Sequence, residues 1–133
     1  MLNAMHTAIV ALLLAIVSSS AMAEWLELGS SPTDTLYADP ASIRIEGHTA
    51  RLWALNDFRT AHVLDDGSAS MSEKVQYEYD CQKAQWRLVY FSAHSGNMAE
   101  GEVVDFNIVP GVWEPIPPES AVEVTWRLAC GRA

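Results

Sequence analysis

Lys74-Val75-Gln76-Tyr77-Glu78-Tyr79-Asp80-Cys81 alternates polar and apolar residues without a break. Val75, Tyr77, Tyr79 and Cys81 fall on one side and Lys74, Gln76, Glu78 and Asp80 on the other. That is the period-two pattern of a strand with one face on a core and a polar face outward. The stretch ends on one of only two cysteines; the other is Cys130. Around Cys130 the pattern is double. Val122, Val124, Trp126, Leu128 and Cys130 alternate as a strand would, while Val122, Thr125, Trp126 and Ala129 fit helical spacing. Capping chemistry favours the helix. Ser120-Ala121-Val122-Glu123 is an S-x-x-E capping box behind Pro117-Pro118, and Gly131 stands as a stop. A helix over Ala121–Cys130 is therefore predicted.

Working outward from these two segments, the chain reads as short strands separated by turns. Trp25 to Leu28 alternates weakly before Gly29-Ser30-Ser31-Pro32. Thr35 to Ala38 is a short extended piece stopped by Asp39-Pro40, and Ser42 to Glu46 is another. Gly47-His48 suits a two-residue hairpin turn with glycine first. It leads into Thr49 to Phe58, whose Leu52-Trp53-Ala54-Leu55 centre is apolar on both faces, as a central strand covered from both sides requires. Ala61 to Ser70 reads as a loop turning at Asp65-Asp66-Gly67. After Cys81, a tight turn at Gln82-Lys83-Ala84 precedes Gln85 to Ala93, where Trp86, Leu88 and Tyr90 share a face and Val89 and Phe91 oppose them. Ser95 to Ala99 reads as a mobile loop, Gly101 to Val109 as a further strand, and Pro110-Gly111 as a turn. The fold class expected is α+β: an antiparallel β-sheet meander with a C-terminal helix packed on one face and one disulfide.

The N-terminus reads as a signal peptide over residues 1–23. Ala8 to Val17 is an apolar run too short to span a bilayer as a helix, and Ala21-Met22-Ala23 is an A-x-A cleavage pattern. A short membrane anchor is the competing reading, and no cysteine near the cleavage point suggests lipidation. Cleavage would leave residues 24–133, a single domain. In an exported chain, two cysteines are most simply one disulfide, Cys81–Cys130. Closing a loop of 49 positions is worth about 4 kcal/mol on loop entropy. A redox or metal-binding thiol pair would call for C-x-x-C spacing, which is absent.

The net charge of −9 disfavours nucleic acid and anionic lipid. It serves solubility, or it suits a basic protein partner. No nucleotide-binding, zinc-protease or nucleophile-elbow motif occurs, and no catalytic residue, cofactor or metal is assigned. Asp65-Asp66-Gly67-Ser68 lacks the further ligands of a calcium loop. His48, His62 and His94 lie in turns or at loop edges, and a set such as Ser95, His94 and Asp105 is not selected by spacing. Five tryptophans are the unusual feature; Trp113, between Pro110-Gly111 and Pro115, sits on the least regular stretch and is the first suspect for a partner-binding surface.

In order, these pieces resemble the surface-adhesin protein E-like family of Gram-negative bacteria. The elements are Trp25, Leu36-Tyr37-Ala38-Asp39-Pro40-Ala41-Ser42-Ile43-Arg44, Arg51-Leu52-Trp53, Ser72-Glu73-Lys74 running into Glu78-Tyr79-Asp80-Cys81, Tyr90-Phe91-Ser92, Trp113-Glu114-Pro115-Ile116-Pro117-Pro118-Glu119-Ser120, and Trp126 with Ala129-Cys130. The resemblance implies an exported domain with a curved antiparallel sheet, a helix on it and a disulfide, and an adhesin-like binding role without catalysis. The lipid-anchoring cysteine of the family's founding member is missing here. The expected function is an exported, periplasmic or extracellular module recognising a protein partner, with Trp113, His94 and Asn97 as candidate contacts and the oligomeric state open, a dimer included. A small periplasmic hydrolase or an envelope accessory protein is the alternative.

Overall fold

β1 (Leu26–Ser30), β2 (Asp34–Glu46), β3 (Thr49–Val63), β4 (Ala69–Asp80), β5 (Gln85–His94) and β6 (Val103–Asn107) lie side by side in chain order, every neighbour antiparallel. The short β7 (Glu114–Pro115) pairs with the start of β5, and the helix α1 (Ala121–Ala129) closes the chain. The computed structural model describes residues 24–108 and 110–131. The signal peptide expected over residues 1–23 lies outside them. The expected meander with one helix on one face is what the chain forms.

Cross-strand partners share a face of a sheet, so the register sorts the two sides. Ala50, Leu52 and Ala54 of β3 stand opposite Tyr79, Tyr77 and Val75 of β4. This is the helix side. Ala38, Ala50, Leu52 and Tyr79 are fully buried there and meet Ala129 of α1. Two of these sheet residues are alanines, which leave room for the helix to seat close to the strands. Trp86 meets Tyr77 edge-on at 5.6 Å between ring centroids, the arrangement aromatic quadrupoles favour.

The serine half of the expected capping box is formed, while the Glu123 carboxylate pairs with Arg127 instead of reaching back to Ser120. Ser120 has extended backbone, and its Oγ accepts the Glu123 N–H at 3.2 Å. Cys130, expected as the last helical residue, is instead the C-cap. It is bonded to Cys81, immediately after β4, so the disulfide joins helix to sheet and does not clip neighbouring strands. Thr125 and Tyr79 are both fully buried, and the phenol donates to the Thr125 hydroxyl. Thr125 returns its own proton to the carbonyls of Val122 or Ala121.

Several boundaries differ from the sequence expectation, each for a pairing reason. Thr35–Ala38 and Ser42–Glu46 are one strand, β2, continuous through Asp39-Pro40. The ladder to β3 is interrupted between Asp39 and Arg44, so Pro40 needs no partner there. The Ser42 Oγ fills the gap, accepting the Trp53 N–H at 3.0 Å. The segment Ala61–Ser70 is not all loop: β3 runs to Val63 and β4 starts at Ala69, with His62 and Val63 paired to Ser70 and Ala69. Once the hairpin forms, backbone hydrogen bonds extend it whatever the side chains. Tyr90 does not share the face of Trp86 and Leu88. The β4–β5 register shifts so that Gln76 faces Tyr90 and Tyr77 faces Leu88, leaving Val89 as an extra residue. A bulge reverses the facing of everything beyond it. Finally, β6 covers Val103–Asn107 and leaves out Gly101, Glu102 and Ile108 of the expected Gly101–Val109; Val109 lies outside the described residues.

Ser95–Ala99, read as a mobile loop, contains a 3-10 turn at Asn97–Ala99 pinned to the sheet. Ser72 Oγ donates to the Gly96 carbonyl at 2.6 Å and accepts from Ala99 N–H at 2.9 Å. Asp57 Oδ1 accepts from Met98 N–H and from the Asn97 amide. Gly101 closes the loop at φ +79, where an added Cβ would run into the Ser95 hydroxyl.

Candidate functional site

The side of the sheet away from α1 is banded. One row across the strands is Arg44 (β2), Arg51 (β3), Glu78 (β4) and Arg87 (β5), each directly opposite the next. The adjacent row holds Trp53, Gln76 and Tyr90, and the one beyond it Leu55, Lys74 and Ser92. Four of the eight Lys and Arg residues of this acidic chain thus share one face. The polar positions of the Lys74–Cys81 strand were expected to meet solvent. Glu78 corrects this: it is only 6% exposed.

Burial alone would push the Glu78 carboxyl up. Hydrogen bonds and charge from Arg51 and Arg87 outweigh it and hold the group below the usual carboxylate range. Arg51 Nε donates to Oε2 at 2.8 Å, and Arg87 Nε to Oε1 at 2.8 Å with its Nη2 at 2.6 Å. On its outer side the Arg87 guanidinium lies 4.5 Å from the centre of the Trp113 ring. Lys74 Nζ sits 4.7 Å over the Trp53 ring, which meets Tyr90 edge-on at 5.1 Å. Arg51, Arg87 and Lys74 are each held by an acid, an aromatic ring or both, and Arg44 by the carbonyls of Ala41 and Ile43. A shallow depression of about 320 Å³ opens beside the arginines, lined by Arg44, Glu46, Thr49, Arg51, Gln76 and Glu78.

The three candidate contact residues occupy different positions. Trp113 is half-buried at this face, against Arg87. His94 is buried at its upper end, 8% exposed, with Nε2 2.8 Å from Ser92 Oγ and Nδ1 without a hydrogen-bond partner. Burial, helped by the Lys74 charge, lowers its pKa. The Asn97 side chain is exposed but its amide donates to Asp57 and to the Phe58 carbonyl. Ser95, His94 and Asp105 form no relay: the Ser95 hydroxyl accepts the Glu102 N–H, and His94 pairs with Ser92. His48 and His62 lie at opposite ends of β3, His62 stacked on Phe58 at 3.7 Å. Among the described residues, no three His, Cys, Asp or Glu side chains are arranged to hold a metal ion, and no helix is long and apolar enough to cross a membrane.

Arg51, Glu78 and Arg87 were not singled out by the sequence. Each is an ordinary charged residue on the polar side of a strand, and 27 positions separate Arg51 from Glu78. Only the pairing of β3, β4 and β5 brings them together.

A single antiparallel meander, a C-terminal helix stapled to it and an open face of cations and aromatic rings define a small α+β sheet domain. The chain belongs to the surface-adhesin protein E family, whose model matches residues 25–131. Among solved structures it is similar to Haemophilus influenzae protein E. One crystal form superposes with a TM-score of 0.65 at 10% identity, over 84% of this chain and 91% of that one. A second structure of that protein gives 0.60 at 11% identity, over 84% and 87%. The protein from non-typeable Haemophilus influenzae gives 0.58 at 10% identity, over 85% and 79%. At such identities the likeness is one of fold. No curated protein matches the sequence.

Proposed function

We propose that this chain is an exported, non-catalytic binding module that engages a protein partner through the helix-free face of its sheet. The observation that carries the reading is the row of guanidinium groups fixed by the buried Glu78 and by Trp113. Side chains already held in place lose little freedom when a partner arrives, and Trp and Arg are the residues that anchor interfaces. Family membership supports an adhesin-like role. The Ala8–Val17 run with its A-x-A site, together with a disulfide, supports export to the periplasm or beyond. Trp113 is assigned to the contact surface, with buried His94 and exposed Asn97 shaping its upper end.

The test is retention of partners from envelope and matrix preparations on immobilised oxidised protein. Trp113→Ala and Lys74→Glu are expected to reduce retention at least tenfold, while Val124→Ser, on the exposed side of α1, leaves it unchanged. Retention that is indifferent to the first two changes, or no retention at all, would show the reading to be wrong.

A further inference from the structure

We propose that Arg44 and Arg51, at the open end of the arginine row, form a carboxylate-binding site, which takes a Glu or Asp side chain from an extended segment of a protein partner and seats a neighbouring apolar residue on Trp53 and Tyr90. The proposal rests on the reading of this face as the partner surface and gives that partner a chemistry.

The charge count comes first. The row holds three guanidinium groups and one carboxylate, and that carboxylate is buried beneath them. Adding Glu46 at the rim of the depression still leaves one cation in excess. Neutralising Glu78 requires a single guanidinium, yet two are committed to it. A third, Arg44, stands directly opposite Arg51. Like charges at opposed positions of an antiparallel pair destabilise it, so the fold alone gains nothing from this placement. An anion between them would turn that repulsion into attraction.

Donor geometry comes next. Arg51 gives Glu78 its Nε, one of five guanidinium donors, and its side chain is 44% exposed. Arg44 is steadied from behind, its Nη1 donating to the carbonyls of Ala41 and Ile43 at 3.0 and 2.9 Å. Both therefore offer planar forks, fixed in place, at the edge of one depression. Such forks match the two oxygens of a carboxylate. A depression of about 320 Å³ is the size of one or two side chains, not of a large cofactor. The next row along the sheet presents Trp53 and Tyr90, both partly exposed. An acidic residue flanked by an apolar one fits both rows together. The chain's overall −9 charge is thus no guide to the sign of the surface a partner meets locally.

The test is NMR titration of the oxidised protein with two capped tripeptides, acetyl-Phe-Glu-Phe-amide and acetyl-Phe-Gln-Phe-amide, and with inorganic phosphate. The Glu peptide is expected to shift the Arg44 and Arg51 side-chain Nε–H signals saturably, and the Gln peptide to bind at least tenfold more weakly. Arg44→Gln is expected to weaken the Glu peptide at least fivefold without lowering the melting temperature, because Arg44 does not touch Glu78 and its loss relieves the repulsion of Arg51; Arg51→Gln should weaken it likewise even at some cost in stability. Equal affinity for the two peptides, shifts confined to another surface, or no effect of Arg44→Gln would overturn the site. Phosphate binding as tightly as the Glu peptide would overturn its assignment to a peptide carboxylate. If partner retention depends on Trp113 and Lys74 but the Glu peptide does not bind, the carboxylate site falls and the partner surface stands. If the Glu peptide binds the row while retention ignores the face, the site stands and the partner surface falls.

Discussion

Removing the Cys81–Cys130 disulfide should loosen the helix before the sheet, at a cost that follows from the loop it closes. The two cysteines are 49 positions apart. Restricting a loop of that length lowers the entropy of the unfolded chain enough to be worth about 4 kcal/mol. For a domain of about 100 residues, 4 kcal/mol corresponds to a fall in melting temperature of roughly 15–20 °C. The loss should not be uniform. α1 has nine residues, too few to persist in water without tertiary contacts. Apart from the staple, it is held by the burial of Thr125 and Ala129, by the packing of Val122, Trp126 and Leu128 against the core, and by the Tyr79–Thr125 hydrogen bond. The β2–β3–β4–β5 ladders do not depend on the helix for their backbone hydrogen bonds. The assay is urea unfolding of the oxidised protein, the reduced protein and the Cys81→Ala/Cys130→Ala variant, with amide exchange followed at residues 121–129 and along β3. The expected result is a loss of several kcal/mol, with protection falling first in the helix. A loss below about 1 kcal/mol, or helix protection unchanged on reduction, would refute the reasoning.

Three further outcomes are expected. Glu78→Gln should destabilise by about 1–2 kcal/mol, since the guanidinium groups lose their buried counter-charge but remain partly solvated. Because the folded-state pKa of Glu78 is depressed, its contribution is fully present above the ordinary glutamate value of about 4.3 and is lost as pH falls through the lower folded value. The variant's urea midpoint should therefore fall less steeply below about pH 4.3 than that of the parent; parallel profiles would count against the pair. Glu73, whose pKa is raised chiefly by burial, works in the opposite sense and is common to both proteins, so the difference isolates Glu78. Tyr79→Phe should cost about 1–1.5 kcal/mol in urea unfolding by removing the donor to Thr125, and Ser120→Ala about 1 kcal/mol by removing the helix N-cap, each with faster exchange in α1 and little change in β3.

What could be read from the chain was whatever local chemistry decides. Alternation placed the strand ending at Cys81, and Leu52-Trp53-Ala54-Leu55 marked a central strand; Leu52, Ala54 and Leu55 are indeed fully buried. The Ser120 capping box resolved a segment whose periodicity was ambiguous, because a cap is a contact between residues three apart. Those two segments carry the cysteines, so the helix-to-sheet staple followed. Trp113 could be marked as unusual, but not placed.

The tertiary structure decided everything that depends on register. Val89 looks like any strand residue, yet as the extra residue of a bulge it turns Tyr90 to the side of Trp53. Pro40 is tolerated because the ladder to β3 is interrupted between Asp39 and Arg44, where Ser42 Oγ takes up the Trp53 N–H instead. Above all, Glu78 reads as one more solvated charge and is in fact buried between two arginines from neighbouring strands. A period of two states which side of its own strand a residue occupies, but not which residues stand beside it on the next. That second fact depends on contacts between residues far apart in the chain, and here it is the one that builds the binding face.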